Sequence, residues 1–560
     1  MARRERGTAP IPASRLAPFA LVGWMVVGAP EVSAQSVPPA QRATESGVPA
    51  WMTAWSPLNP IADVPRTLPR AAPVTDLLGS PAPTVGLFWF AGTPAALGFE
   101  VGERRGQLAG TLAGDDGAYR RALDPADVVV ARLSGIGWRP VGSRAAAAGR
   151  VVLERVVLGT ATQSGVLEPY ASDPFVITDT TLPEVRRLDT QLEGALGWRL
   201  GPWSVGLSGA VFIEDHRTRN ARFPRLGKAT TPAASLGVAR ALPWARVRLA
   251  LMGRWIGGNE TLILPAPAAP GRVYLLDGYS EPDAREVQPQ TGLFRRTERD
   301  ALAYGAAASG TLLGTSWVVF AENTRRTDDH VSARQEDPPT DRWHATGSAY
   351  GLAVQWPLSH YDLYLTAQWR LNRLRGDASR AGLTGFIFRA TESVGHLTAD
   401  VRYLPASPWA VAATFALVRE SRLREDFIAE MRSDLRTWAP GLGIEVARSL
   451  GVTAVAAGYA VSWYAPSGGI PNPAAMGPIY QQLVAPEQSL YATTARSTAA
   501  ALTLRHTFPS GTAALLRVRR ESLGASGEAL PSDALPFAPE GSRTLWNVSL
   551  GVVLGQRQGS

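Results

Sequence analysis

The sequence predicts an all-β protein, a single antiparallel up-and-down transmembrane β-barrel of about 18 strands, within a range of about 14 to 20. Three features of the chain predict this fold. Apolar and polar residues alternate with a period of two over many segments of about 10 to 15 residues, which is the pattern of a half-buried strand. Short and long connections alternate between these segments. Aromatic residues cluster beside the segment ends, as at the two interfaces of a membrane.

The composition excludes several classes of protein before any motif is considered. The 560 residues are 45% hydrophobic and 19% charged, which excludes a wholly disordered chain. The absence of cysteine excludes disulfide frameworks, thiolate nucleophiles and cysteine-based metal sites. The formal net charge is +8, and Lys228 is the one lysine among 56 basic residues. This arginine bias is typical of a GC-rich genome and does not by itself indicate a function.

Residues 1–34 have the pattern of a secretory signal peptide. Arginines precede a short apolar run at 16–29, and the small residues Ser33 and Ala34 suit cleavage near Ala34. The apolar run is shorter than the roughly 20 residues of a membrane-spanning helix, and no later stretch reaches 18 uninterrupted apolar residues. The sequence therefore predicts export and excludes a multi-helix inner-membrane protein. An exported globular protein and an outer-membrane barrel remain.

The Pro-rich segment 35–96 lacks alternation and is predicted to be a periplasmic tail, a linker or a plug in the lumen. Residues 97–554 are predicted to form the barrel, and 555–560 a C-terminal tail. Within 361–371 the odd positions are apolar while Asp362, Thr366, Gln368 and Arg370 form the other face. The eighteen predicted strands are 97–112, 125–139, 146–158, 187–200, 203–215, 230–241, 244–257, 300–313, 315–327, 344–357, 360–373, 393–404, 408–421, 435–448, 451–464, 496–508, 511–522 and 542–554.

The connections alternate in length along the chain. From the fourth strand on, every second connection is very short, at 201–202, 242–243, 314, 358–359, 405–407, 449–450 and 509–510. Long connections, such as 159–186 and 258–299, separate these tight turns, and their content suits ordered loops that fold over or into the mouth. Tight turns on one rim and long loops on the other are typical of a bacterial outer-membrane barrel, which predicts that location.

Aromatic residues favour the same fold because they flank the predicted turns. The predicted interface aromatics beside the short turns are Trp198, Trp203, Trp244, Trp356, Tyr361, Trp409 and Phe508. A second set, predicted near the opposite strand ends, consists of Trp255, Trp369, Trp463 and Tyr464. Two aromatic belts at interface depth are expected of such a barrel.

Alternation also predicts which charged residues line the lumen. These are Arg246, Arg248, Arg254, Arg370, Arg402, Arg505, Arg517, Arg519, Asp189, Glu193, Asp362, Asp400 and Glu445. Opposed charges across a lumen tune selectivity, and the basic excess slightly favours anionic solutes. Alternatively, these charges pair with one another and with segment 35–96.

Catalytic, metal and nucleotide motifs are not found in the sequence. The six histidines show no metal-ligand spacing, and neither a nucleophile elbow nor a phosphate-binding loop occurs. The sequence therefore predicts no enzyme activity, no cofactor and no bound metal. His216, His330 and His344 lie near the predicted extracellular rim beside acidic residues, which keeps an outer-membrane hydrolase as a third hypothesis. Arginines dispersed along strands argue against nucleic-acid binding.

Two stretches carry resemblances to known families. The barrel pattern over 97–554 resembles bacterial outer-membrane β-barrels generally. The run GLFWFAGTPAALGF (86–99) resembles the Asn-Pro-Ala segment of the long-chain fatty-acid transporter superfamily, with Gly92-Thr93 where that family usually has Asn. Together with SDPFVITDTTLPEVRRL (172–188), it is also similar to a family of uncharacterised outer-membrane barrels. That likeness implies a fold but no activity. The ending LGQRQGS departs from the C-terminal aromatic of many barrels.

The leading functional hypothesis is a pore or facilitated-diffusion channel for a small solute. The alternative is a non-conducting structural or accessory barrel whose lumen is plugged and whose long loops bind a partner. Predicted partners are the barrel-assembly machinery, outer-membrane lipid and lipopolysaccharide. The outward arginines predicted to meet the lipopolysaccharide are Arg217, Arg219, Arg222, Arg225, Arg325 and Arg326.

Overall fold

The structure is a computed structural model. It describes residues 87–100, 105–119, 125, 127–159, 173–179, 184–219, 226–264, 271–278, 283–287, 293–331, 340–358, 361–405, 407–469, 485–529 and 541–554. The predicted signal peptide, the predicted C-terminal tail and residues 35–86 of the Pro-rich segment lie outside these residues, as do Arg222 and Arg225.

Eighteen strands form one closed antiparallel barrel, as predicted. They are β1 (Arg105–Gly117), β2 (Asp127–Val141), β3 (Ala145–Leu158), β5 (Glu184–Leu200), β6 (Trp203–Arg219), β7 (Leu226–Leu242), β8 (Val247–Leu264), β11 (Leu293–Leu312), β12 (Thr315–Val331), β13 (Asp341–Leu358), β14 (Leu363–Arg380), β15 (Phe388–Tyr403), β16 (Trp409–Asp426), β17 (Met431–Leu450), β18 (Thr453–Gly469), β19 (Thr493–Thr507), β20 (Ala513–Ala529) and β21 (Ser542–Leu554). Each strand pairs with its neighbour in this order, and β1 pairs with β21 to close the ring. Closure leaves no unpaired edge, which is what lipid demands of a spanning sheet.

Three further strands form a small separate sheet, which we call the loop sheet. They are β4 (Phe175–Asp179), β9 (Gly271–Asp277) and β10 (Asp283–Val287), with β9 in the middle. They come from two long connections of the barrel, between β3 and β5 and between β8 and β11. The long connections that the sequence marked as ordered thus pair with one another.

Burial alternates along the strands and separates an apolar outer face from a packed inner face. On β13, Leu352 and Trp356 are 43% and 47% exposed, whereas Ala349 and Ala353 are buried. In a closed barrel the exposed apolar side is the lipid-facing side. Nearer the long loops the outward positions of β13 become polar, at Ser348, Thr346 and His344. None of the described helices is long and apolar enough to cross a membrane.

The aromatic residues predicted beside the short turns lie there. Trp203, Trp244, Trp356, Tyr361, Trp409 and Phe508 are exposed, and Trp198 is half-buried. The second set differs from the prediction because the strands extend further toward the loops than the sequence indicated. Trp255 and Trp369 consequently lie in the middle part of β8 and β14. Tyr464 packs inward against a cluster that contains Tyr119 and Leu490.

The beginning of the barrel also differs from the prediction. β1 begins at Arg105 rather than at residue 97, because residues 97–100 form a helical turn. The apolar residues of that turn pack inside the barrel instead of facing lipid, and Leu97 is fully buried.

Candidate functional site

A helical segment occupies the lumen at the short-turn end. This plug segment, residues 87–100, consists of the α-helix Leu87–Ala91, the 3-10 helix Pro94–Ala96 and the turn Leu97–Glu100. Gly92, with φ of 72°, ends the first helix, and Pro94 starts the next. Leu87, Phe88 and Ala95 are fully buried among inner-face alanines of the wall. The part of the predicted N-terminal segment that the structure describes therefore lies inside the barrel.

The plug segment approaches the backbone of β6 closely. The Ser204 hydroxyl donates a hydrogen bond to the carbonyl oxygen of Ala95, at 2.6 Å. A Cβ atom on Gly206 would lie 2.4 Å from the backbone of Pro94. Glycine at 206 is thus what lets the 3-10 helix lie directly on the strand.

Arg370 of the wall contacts the plug segment from the other side, and Arg254 lies close to Gly92. Arg370 Nη2 donates a hydrogen bond to the carbonyl oxygen of Phe90 at 2.6 Å. Its guanidinium lies 4.7 Å from the centroid of the Phe90 ring and 5.4 Å from that of Phe320. The two rings contact each other edge to face, at 5.5 Å. Arg254 Nη2 lies 3.4 Å from Glu322 Oε2. This carboxylate offsets the positive charge beside the plug segment.

The loop sheet is fastened to the wall at the long-loop end. Phe175 of β4 is buried with the inward side chains Trp343 and Phe388. Arg295 Nη2 donates to the carbonyl oxygen of Phe175 at 2.7 Å. His330 Nε2 lies 2.8 Å from Asp173 Oδ2, just before β4. Burial acts to raise the pKa of the Asp173 carboxyl, but the charge and hydrogen bond of His330, aided by Arg295, hold that pKa below its ordinary value.

Buried ion pairs neutralise much of the inner wall near the long loops. Asp328 is paired with Arg299 and Arg326, Glu154 with Arg132, and Glu392 with Arg422 and Arg424. The prediction that Arg326 points outward to the lipopolysaccharide is therefore wrong, because this side chain is buried on the inner wall. The helix Ala485–Tyr491 lies in the same region, where the Arg422 guanidinium is 5.9 Å from the Tyr491 ring centroid. These charges are therefore structural attachments of the loops and the wall rather than free charges in a pore.

The inner wall formed by β14 to β20 is different, because several of its inward polar side chains are accessible, and we call this part of the wall the lumen lane. On β5 and β12 the inward side chains between Val185 and Ala195 and between Val318 and His330 are all buried. On β14 to β20 several inward polar side chains are partly or fully exposed: Arg370, His396, Asp400, Glu420, Arg505, Arg517 and Arg519. Asp400 accepts a hydrogen bond from Thr414 at 2.6 Å. The lumen lane combines both signs of charge with accessible surface.

Eleven of the thirteen residues that alternation assigned to the lumen lie on the inner side of the wall. These are Arg248, Arg254, Arg370, Arg402, Arg505, Arg517, Arg519, Asp189, Glu193, Asp400 and Glu445. Arg246 and Asp362 do not lie on strands; both are exposed turn residues with left-handed backbones, at φ of 51°. The turns before β8 and β14 are longer than predicted, because a 3-10 helix (Pro243–Ala245) precedes Arg246 and β14 begins only at Leu363.

The three rim histidines do not assemble into one site. His330 is buried, with Nδ1 3.0 Å from both Arg295 Nη2 and Thr297 Oγ1. His344 is exposed on the outer face, 3.1 Å from Thr327 Oγ1. His216 is buried on the inner side of β6. Within the described parts of the chain, no three His, Cys, Asp or Glu side chains are grouped so that they could hold a metal ion.

Comparison with family models identifies the chain at the level of its family. Residues 94–554 match the model described as "Family of unknown function (DUF6850)". The chain belongs to this family. The match covers the last residues of the plug segment together with the whole barrel. Comparison with curated proteins finds no match.

Solved structures that are similar to this chain include outer-membrane transporters and receptors. The copper transporter OprC is 10% identical, with 81% of each chain covered and a TM-score of 0.35. The ferric preacinetobactin receptor BauA from Acinetobacter baumannii is 10% identical, with 80% of each chain covered and a TM-score of 0.36. OccAB3 from Acinetobacter baumannii is 11% identical, with 81% of this chain and 100% of that chain covered and a TM-score of 0.33.

Proposed function

We propose that this barrel is a selective outer-membrane channel for small polar solutes, with a preference for anions. The observation that carries the proposal is the lumen lane, where charged inward side chains on β14 to β20 remain accessible. A barrel of about 18 strands is wide enough for an aqueous lumen. The plug segment and the loop sheet narrow that lumen, which favours selective passage of small molecules over a wide unselective pore.

The charges of the lumen lane supply the expected selectivity. Among the accessible charged side chains of the lumen lane, the four arginines Arg370, Arg505, Arg517 and Arg519 outnumber the two acids Asp400 and Glu420. The Arg519 guanidinium also lies 2.9 Å from Glu521. Fixed positive charge on the wall of a lumen raises the local concentration of anions and lowers that of cations.

Single-channel recording in planar bilayers tests this function. The purified protein should conduct, and in a KCl gradient its reversal potential should report a preference for chloride. R505A/R517A should lose most of that preference. R520A is the control and should keep it, because Arg520 is exposed on the outer face of the strand that contains Arg517. A barrel that never conducts, or one that prefers cations, would contradict the proposal.

A closed accessory barrel is the second candidate, and the plug segment favours it. The hydrogen bond from Arg370 to Phe90 and the contact of Ser204 with Ala95 hold that segment inside the short-turn end. If the barrel is closed, the full chain stays silent in bilayers, and a variant lacking residues 35–96 begins to conduct. A hydrolase draws no comparable support from geometry, because Thr297 and His330 are buried beneath the loop sheet.

A further inference from the structure

The outer face of β12 to β14 changes from apolar to polar between one cross-strand row of outward residues and the next. In one row of paired residues, Ala321, Tyr350 and Leu371 face outward. Two residues nearer the long loops, the paired outward row is Asn323, Ser348 and Arg373. The next such row is Arg325, Thr346 and Arg375. The edge of the apolar band is therefore marked by arginines and small hydroxyl-bearing residues.

These arginines differ from those of the inner wall because no carboxylate in the described parts of the chain lies at close ion-pair distance from their guanidinium groups. Arg325 and Arg373 are exposed and have no ion pair or hydrogen bond within the described parts of the chain. Arg375 Nε lies 4.0 Å from Asp377, and its side chain is 60% exposed. The outward carboxylates of these strands are paired with other arginines. Asp377 lies 2.5 Å from Arg389, and Asp329 lies 2.5 Å from Arg342.

The spacing of the three arginines suits a ligand with several anionic groups. Arg373 and Arg375 are two residues apart on one face of β14, roughly 7 Å. Arg325 lies two strands away from Arg375, roughly 10 Å. The intervening Thr346 and Ser348 are short, so they leave the guanidinium groups uncovered. Guanidinium groups bind phosphate through paired, charge-assisted hydrogen bonds.

We propose that Arg325, Arg373 and Arg375 bind the phosphate groups of a phosphorylated saccharolipid, the lipopolysaccharide of the outer leaflet. The acyl chains of this lipid lie against the apolar row that contains Tyr350 and Leu371. A ligand with phosphates at one end and acyl chains at the other matches both halves of this surface, whereas a soluble anion would use the arginines alone. The site is on the outer face and is independent of the lumen lane.

Native mass spectrometry of the detergent-solubilised full chain tests the site. The probes are bisphosphorylated lipid A, phosphatidylethanolamine and inorganic phosphate. The wild type should retain lipid A in preference to the other two probes. R325A/R373A should weaken lipid A binding by at least about tenfold, because charge-assisted hydrogen bonds are lost. R155A/R520A is the matched control, since both arginines are exposed on outer faces elsewhere on the barrel.

The outcomes separate the possible ligands. Tenfold weaker lipid A binding by R325A/R373A, with wild-type binding by R155A/R520A, supports the site. Equal loss in both variants overturns it, because binding then reflects overall charge. Equal retention of lipid A and phosphatidylethanolamine, or binding of inorganic phosphate as tight as that of lipid A, also overturns it. All of the substituted side chains are exposed, and a heat-modifiable shift on electrophoresis verifies that each barrel is folded.

Discussion

Arg370 and Phe90 are 280 positions apart in the chain and meet inside the barrel, where the guanidinium donates to the Phe90 carbonyl oxygen at 2.6 Å. The same guanidinium lies over the Phe90 ring. One side chain of the wall thus both satisfies a backbone acceptor of the plug segment and contacts its aromatic ring. Arg370 is also one of the lumen-lane residues, so a single side chain contacts both the plug segment and the accessible part of the lumen.

We expect R370A to loosen the plug segment. Loss of a hydrogen bond from a charged donor costs about 1.5–3 kcal/mol, and the cation–π contact adds about 0.5–2 kcal/mol. Hydrogen exchange of peptides covering residues 87–100 should therefore speed up by roughly tenfold or more. R519A is the control, since Arg519 is also inward but pairs with Glu521 on β20. Unchanged exchange in R370A would show that Arg370 does not hold the plug segment.

We expect G206A to displace the plug segment through steric contact. The added Cβ would lie 2.4 Å from the backbone of Pro94, where no flexible side chain can give way. Overpacking of this kind typically costs about 1–3 kcal/mol. If the plug segment restricts passage, the conductance of G206A should exceed that of the wild type. G253A is the matched control, because a Cβ at Gly253 would meet nothing within 4 Å. Equal conductance in both variants would argue against steric blockage.

Two arginine substitutions on the same face of β13 should locate the membrane. L352R places a charge within the apolar band and should destabilise the barrel by about 2–4 kcal/mol. S348R adds the same charge four residues closer to the long loops, beside Arg373, and should cost about 0–1 kcal/mol. Reversible unfolding in lipid vesicles measures both. Equal costs would mean that the apolar band ends elsewhere.

The strands could be predicted from the sequence because each barrel strand has one face toward lipid and one face toward the lumen, and its residues alternate accordingly. On β13, Leu352 and Trp356 face lipid while Ala349 and Ala353 face inward, so alternation reveals the strand without knowledge of its partners. The tight turns could be located for the same reason, since the alternation stops where Gly201 and Gly451 take up positive φ.

The contents of the lumen could not be predicted in this way. The sequence predicts that the first strand begins at residue 97, whereas residues 97–100 form a helical turn of the plug segment. An apolar residue such as Leu97 that packs inside the barrel cannot be distinguished by sequence from one that faces lipid. Strand β4 is five residues long and pairs with β9, which lies almost 100 positions later in the chain. A strand this short with so distant a partner has no local sequence pattern from which it could be predicted. The contact between Asp173 and His330 likewise could not be predicted, because only the tertiary fold brings these two residues together.

The contact between Asp173 and His330 predicts how the attachment of the loop sheet depends on pH. The pKa of Asp173 is held below its ordinary value of 3.8, so the carboxylate stabilises the attached loop sheet at neutral pH. This stabilisation is complete above the ordinary pKa and is lost as pH falls through the lowered one. We therefore expect the sheet to loosen only in strongly acidic solution, where the hydrogen bond from Arg295 to the Phe175 carbonyl oxygen and the burial of Phe175 against Trp343 and Phe388 remain.

A spin label tests this, because the chain contains no native cysteine and one introduced at Thr178 of β4 is labelled uniquely. The wild-type label should stay immobile at neutral pH and become mobile only as the pH falls below the ordinary pKa of the Asp173 carboxyl and through the lowered one. D173N should be more mobile at neutral pH and should lack the acid transition, since the buried His330 then faces no carboxylate at that position. D116N, which removes the charge of an exposed acid on another strand end, should behave as the wild type. A wild-type label whose mobility is independent of pH would show that the Asp173–His330 contact does not hold the sheet.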